Sequence, residues 1–136
     1  MSVFTVQNLD HVVLRVTDME KSLNFYIDVL GLDIAKTNEY YSMVHLRAGT
    51  SMIDLIDVNG RLGKPGGEAA KDTGRNVDHI CLRVEPFNET AIIDYFAKHG
   101  MAVDKAGTRY GAQGEGLSVY CYDPDGNTVE LKGPSR

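Results

Sequence analysis

A chain of 136 residues is long enough for one compact domain that buries roughly two-thirds of the surface its unfolded form exposes. Apolar residues make up 43% and charged residues 24%, the ordinary balance of a soluble globular protein. A net charge of −5 argues against a general nucleic-acid binder, which would carry a basic face.

The N-terminal stretch to Asp10 has neither the basic start nor the apolar core of a signal peptide. Nothing approaches the roughly 18 consecutive apolar residues of a membrane span. Cys81 and Cys121 fall inside apparent strands without CxxC spacing, so they read as small buried hydrophobes in a reducing compartment. These features predict a cytoplasmic address.

Residues 9–17 are apolar and β-branched and predict a strand that ends at Thr17-Asp18. Asp18 is a suitable N-cap, and Glu20 places an acid in the first helical turn, where the helix dipole favours it. Met19, Leu23, Tyr26, Val29 and Leu30 then recur at helical spacing, with Gly31 as the stop. Strand-like runs follow at 32–38, 40–48 and 51–58. Residues 59–76 are glycine-rich and aperiodic, a linker long enough to predict a mobile or functional loop.

The order then repeats. A strand is predicted at 77–85, a helix from about Asn88 to His99 stopped by Gly100, and strands at 101–106, 116–123 and 127–132. A glycine-rich loop at 107–116 and the turn Asp123-Pro124-Asp125-Gly126-Asn127 separate them, and Asp-Gly between β runs signals a hairpin. The fold class is therefore α+β, two βαβββ modules in tandem: module 1 at about 7–58, the linker 59–76, and module 2 at about 77–132, in one domain spanning 5–133.

The repeat is visible in the residues themselves. Leu-Asp-His-Val-Val-Leu-Arg-Val starts at Leu9, and Val-Asp-His-Ile-Cys-Leu-Arg-Val starts 68 residues later at Val77. A self-match at half the chain length marks a duplicated supersecondary unit. Side chains alternate along a strand, so Val12, Leu14 and Val16 share one face while His11, Val13 and Arg15 share the other. In the second copy Ile80, Leu82 and Val84 oppose His79, Cys81 and Arg83. The aliphatic face suits a covering helix, and the histidine face suits a lined cavity.

The last strand of each half adds an acid, Asp54 within Met-Ile-Asp-Leu-Ile and Glu130 within Thr-Val-Glu-Leu-Lys. An isolated strand histidine is usually a hydrogen-bonded structural residue, and an acid in an apolar run is often an edge-strand charge. Two histidines at equivalent places favour ligands instead. If the halves pair about a pseudo-twofold axis, His11, Asp54, His79 and Glu130 converge, and two imidazoles with two carboxylates balance a divalent cation. His45 and His99 have no counterpart in the repeat and read as surface or structural residues. Arg15 and Arg83 read equally as solvated strand ends or as part of the lined face.

From about residue 7 to residue 132 the chain resembles the vicinal oxygen chelate superfamily, which includes glyoxalase I, fosfomycin-resistance proteins, bleomycin-resistance proteins and extradiol dioxygenases. The resemblance rests on the two repeated phrases, on Ser22-Leu-Asn-Phe-Tyr-Ile-Asp-Val-Leu-Gly-Leu32 and on Tyr122-Asp-Pro-Asp-Gly-Asn-Thr-Val-Glu-Leu131. It implies curved mixed sheets around a metal-centred cavity, with His11, His79 and Glu130 on metal-ligand positions and Asp54 where glyoxalase I-like members place a glutamate. The metal would be Ni, Zn, Mn, Co or Fe. Glu130 or Asp54 would act as the catalytic base, Arg15 would hold a substrate carboxylate, and Ser118, Tyr120 and Arg109 would line the substrate pocket. The segment from Thr108 to Gly116 is closest in look to small glyoxalase domain-containing proteins. The implied function is a divalent-metal-dependent lyase or isomerase acting on a small oxygen-chelating substrate. Extradiol cleavage and metal-free drug sequestration are the alternatives. The implied partners are that small molecule and a second copy of the chain, with neither nucleic acid nor membrane.

Overall fold

The computed structural model describes residues 3–136; Met1 and Ser2, at the start of the stretch read as lacking a signal peptide, lie outside the described residues. The first half runs β1 (His11–Val16), α1 (Met19–Leu23), β2 (Asp33–Asn38), β3 (Met43–Ala48) and β4 (Ser51–Asp57). The second runs β5 (His79–Arg83), α2 (Glu89–Lys98), β6 (Gly107–Gly111), β7 (Gly114–Tyr122) and β8 (Thr128–Ser135). This is the duplicated βαβββ order, in two four-stranded mixed sheets that do not close on each other.

Both sheets have the same unusual order. The first is β1-β4-β3-β2 and the second β5-β8-β7-β6, with β1 parallel to β4 and β5 parallel to β8. The first strand of each half thus lies beside the last, which sets each repeated histidine on the strand next to its acid. β1 and β5 are also sheet edges.

Both helices begin on side-chain caps. Asp18 accepts from the backbone N–H of Lys21 at 3.1 Å, and Asn88 accepts from that of Ala91 at 2.9 Å. The first helix widens into a π-helical segment over Asn24–Val29, where the Leu30 N–H reaches the Phe25 carbonyl at 2.9 Å. The consequence is that two consecutive aromatic residues are both buried. Tyr26 enters the core of the first half with Val16, Leu46 and Leu55, and Phe25 enters that of the second with Phe96, Val119 and Val129. Gly31 (φ +81°) then reverses the chain, as its place after the last periodic residue predicts.

The halves are joined by more than apolar contact. The Tyr95 hydroxyl donates to the Val29 carbonyl at 2.7 Å, and the Thr17 hydroxyl to Asp125 at 2.6 Å. Leu30, Ile80 and Leu82 pack against both cores.

Two expectations need correction. Residues 101–106 form no strand; β6 lies at Gly107–Gly111, inside the run read as a glycine-rich loop. The glycines there serve the turn and close packing, while Thr108, Arg109 and Tyr110 supply the strand. Cys81 is accessible rather than buried, because it sits on the polar face of an edge strand; Cys121 is buried as read. The linker is tied down. A 3₁₀ turn at Lys64–Gly66 lies against Arg15, and Arg75 donates to the Asn127 side chain at 3.0 Å and the Asp125 carbonyl at 2.6 Å. No described helix is long and apolar enough to cross a membrane.

Candidate metal centre

Register places the candidate side chains in matched groups. On β1 and β4, Val13 pairs with Asp54, and on β3 His45 pairs with Asp54. On β5 and β8, Cys81 pairs with Glu130, and on β7 Tyr120 pairs with Glu130. Each half therefore presents a repeated histidine, an acid and a ring on one face: His11, Asp54 and His45, then His79, Glu130 and Tyr120.

Both repeated histidines are held identically. His11 Nδ1 is 2.7 Å from Asp10 Oδ1, and His79 Nδ1 is 2.8 Å from Asp78 Oδ2. With Nδ1–H given to the aspartate, Nε2 is the free nitrogen of each ring. His79 Nε2 lies 3.1 Å from Glu130 Oε1, and Glu130 is only 5% exposed. A cation held between that ring nitrogen and the buried carboxylate would offset the carboxylate's charge. Two donors about 2.1 Å from one ion and at right angles to each other are about 3 Å apart, so the pair fits a shared divalent cation.

Asp54 makes the same demand. It is 3% exposed, and His45 Nδ1 lies 3.0 Å from its Oδ1. The approach is not aligned for hydrogen bonding, and among the described residues that oxygen has no donor. An orphaned buried carboxylate oxygen is costly, and a cation would satisfy it. The His11 ring is drawn toward protonation, chiefly by its hydrogen bond to Asp10, with the charge of Asp54 adding to it.

The four expected ligands do not gather in one chain. Among the described residues no three His, Cys, Asp or Glu side chains come together as an ion would require. One chain keeps the candidate residues of its two halves in separate groups. Both histidines do line a single cleft of about 1080 Å³ between β1, β5 and α2, whose walls include Val12, Ile80, Tyr95 and Phe96; neither acid lines it.

The other expected site residues fall into two groups. Ser118, Tyr120 and Arg109 meet beside the second half-site. Arg109 Nη1 donates to the buried Ser118 hydroxyl at 2.9 Å, its guanidinium stacks 4.4 Å above the Tyr120 ring, and that ring meets His79 edge-on at 5.5 Å. Arg15 is elsewhere engaged. Its Nε donates to the Gly63 carbonyl and its Nη1 to that of Glu68, both at 3.1 Å, and Nη2 donates to the Gly67 carbonyl. A substrate carboxylate would have to compete with the loop for it.

His45 on β3, read as surface or structural, stands opposite Asp54. The signal was available in the turn Ala48-Gly49-Thr50-Ser51: pairing Ala48 with Ser51 puts His45 opposite Asp54. Glu130 also acts on its other neighbour. Partial burial, then the charge of Glu130 and a hydrogen bond to it, push the Cys81 thiol up to about 11.

The profile of the Glyoxalase/Bleomycin resistance protein/Dioxygenase superfamily matches residues 8–131, and the chain belongs to that family. Among its relatives, human mitochondrial methylmalonyl-CoA epimerase is 27% identical over 136 residues, covering 96% of this chain and 76% of its own. A probable lactoylglutathione lyase from Synechocystis is 29% identical over 127 residues, covering 89% and 91%. An integron cassette protein from the mobile metagenome of V. cholerae superposes with a TM-score of 0.75 at 26% identity, over 98% of this chain and all of the other.

Proposed function

We propose that this protein is a divalent-metal-dependent lyase or isomerase of the glyoxalase I kind, acting on a small substrate that offers adjacent oxygens. The observation that carries the reading is the His79–Glu130 pair, with the ring's far nitrogen held by Asp78 and its near nitrogen 3.1 Å from a buried carboxylate. The donor set of two histidines and two acids fits Ni, Zn, Mn, Co or Fe in the divalent state. When bound, such an ion supplies Lewis acidity to a chelated carbonyl.

The chain's own groups do the rest. Glu130 Oε1 or Asp54 Oδ1 takes the proton from the carbon next to the carbonyl and returns it to a neighbouring position. Burial keeps either carboxylate from being levelled by water. Tyr120 and Ser118 bound the substrate on the β7 side. The names epimerase and lyase among the relatives favour carbon–proton transfer over ring cleavage by oxygen.

A second copy completes the centre in this reading. Leu9, Val13 and Val77 are 73%, 41% and 53% exposed on or beside the two edge strands that carry the histidines. An apolar, unpaired edge is the kind of surface a homodimer covers. One half-site from each copy then makes a four-ligand site. Unpaired cysteines suit the reducing cytoplasm.

The test begins with metal content after purification without chelator. About one divalent ion per chain in the dimer is expected, and its loss in His79→Ala. Ni(II)- or Zn(II)-loaded protein should then isomerise a hemithioacetal panel. Ring opening of catechols by anaerobically Fe(II)-loaded protein, without hemithioacetal turnover, would replace this reading with the dioxygenase one. Metal-free protein that binds aromatic drugs tightly would replace both.

A further inference from the structure

Hydrogen-bonded register sets side chains of the second sheet in rows. One row on the His79 face runs Cys81, Glu130, Tyr120. The next runs Arg83, Lys132, Ser118, and Arg109 reaches into it to donate to Ser118. Three cations thus stand beside the candidate centre in a protein of net charge −5. Among the described residues none of the three forms an ion pair with a carboxylate.

Lys132 is the least expected of them. It is 5% exposed, and its ammonium makes one hydrogen bond, to the Gly114 carbonyl at 3.0 Å. Two of its three N–H donors have no partner among the described residues. The ammonium lies over Gly116, the residue that pairs with Arg109; a Cβ there would sit 2.9 Å from Nζ. A buried ammonium without a carboxylate partner is costly, and an anion would offset it.

The first half serves as an internal control. At the places of Arg83, Lys132 and Ser118 it has Arg15, Ile56 and Met43. Arg15 is committed to backbone carbonyls of the loop. The duplicated fold therefore forms without a cation row, and only the second half carries one.

We propose that this row seats an oxyanion, a carboxylate or phosphate group of the substrate, with Lys132 at its centre and Arg83 and Arg109 to either side. Glu130 and Lys132 are two residues apart on β8, about 7 Å. The ligand is then a short molecule with chelating oxygens at one end and an anionic group at the other. The inference names the substrate class of the site proposed above and rests on that reading for the chelating end alone.

Inorganic phosphate is the probe, titrated at constant ionic strength into the chelator-treated, ¹⁵N-labelled full chain and followed by NMR. Saturable shifts are expected at Gly116, Ser118 and Lys132 and at Arg109 Nε. Lys132→Met should weaken binding about tenfold or more, the scale of a charge-assisted hydrogen bond. Lys36→Met, which removes a cation from the first sheet, should leave it unchanged. Arg83→Gln, on an exposed strand end, reads the same contact with a several-fold loss should Lys132→Met fail to fold. Shifts scattered over the surface, no saturable shift at millimolar phosphate, or equal affinity in the folded row variants would overturn the proposal. No metal is present in this experiment, so its failure leaves the His79–Glu130 reading standing. Loss of metal reading in turn leaves phosphate binding intact.

Discussion

The hydroxyl of Tyr26 donates to Asp123 Oδ2 at 2.7 Å, across the seam between the two halves and 97 residues along the chain. Asp123 is itself the hub of the β7–β8 turn, accepting from the backbone N–H groups of Asp125 and Asn127 and from the Asn127 side chain. Both residues are buried. One carboxylate thus fixes the hairpin that presents Glu130 and anchors it to the helix of the other half.

Tyr26→Phe keeps the ring and removes only that donor. A buried acceptor left short of a partner costs about 1–3 kcal/mol. Urea denaturation should show a loss in that range with an unchanged slope. A loss below about 0.5 kcal/mol would mean that water replaces the hydroxyl.

Arg15 holds the 59–76 loop through three carbonyls, and a Cβ on Gly66 would lie 2.6 Å from its Nε. Arg15→Ala should release the loop, seen as faster limited proteolysis between Gly63 and Glu68. Gly66→Ala should do the same by displacing the guanidinium. Unchanged cleavage in both variants would show that Arg75 alone retains the segment.

The Cys81 thiol, pushed up to about 11 by partial burial and then by Glu130, is held in its neutral form at neutral pH. Thiolate is the reactive species, so alkylation of chelator-treated protein should be slow at pH 8 and rise toward pH 11. Glu130→Gln removes a negative neighbour, which favours the thiolate and lowers the pKa. Alkylation at pH 8 should then quicken several-fold. Because burial is the larger cause, the rate should stay below that of a free cysteine.

The aspartates that hold the two rings predict a graded effect on metal binding. Asp78→Ala should weaken Co(II) affinity about 10- to 100-fold, as loss of a ligand's supporting carboxylate does elsewhere. Asp78→Asn, whose carbonyl still accepts from Nδ1–H, should recover most of it. Equal losses would mean that charge, and not ring orientation, is the contribution.

Val13 lies between His11 and Arg15 on an exposed edge. Val13→Glu should convert a dimer to a monomer in sedimentation velocity and lose the metal with it. A monomer that keeps a full metal complement would show that one chain suffices.

The duplicated phrase determined a great deal without any coordinates. Strand alternation has a period of two residues and is local, so the shared face of His11 and Arg15, or of His79 and Arg83, follows from spacing. The capped helices, the stop at Gly31 and the Asp-Gly turn follow in the same way from nearby residues. Register between strands is a long-range property, and only the tertiary structure decided it. It set His45 against Asp54 and Lys132 beside Ser118, and it took Arg15 for the loop. The strand at Gly107–Gly111 was hidden for the same reason, since its glycines suit a close approach to β7 and β8 that no local pattern records. The sequence could name His11, Asp54, His79 and Glu130 as candidates, but only packing shows that one chain keeps the two halves' candidates apart.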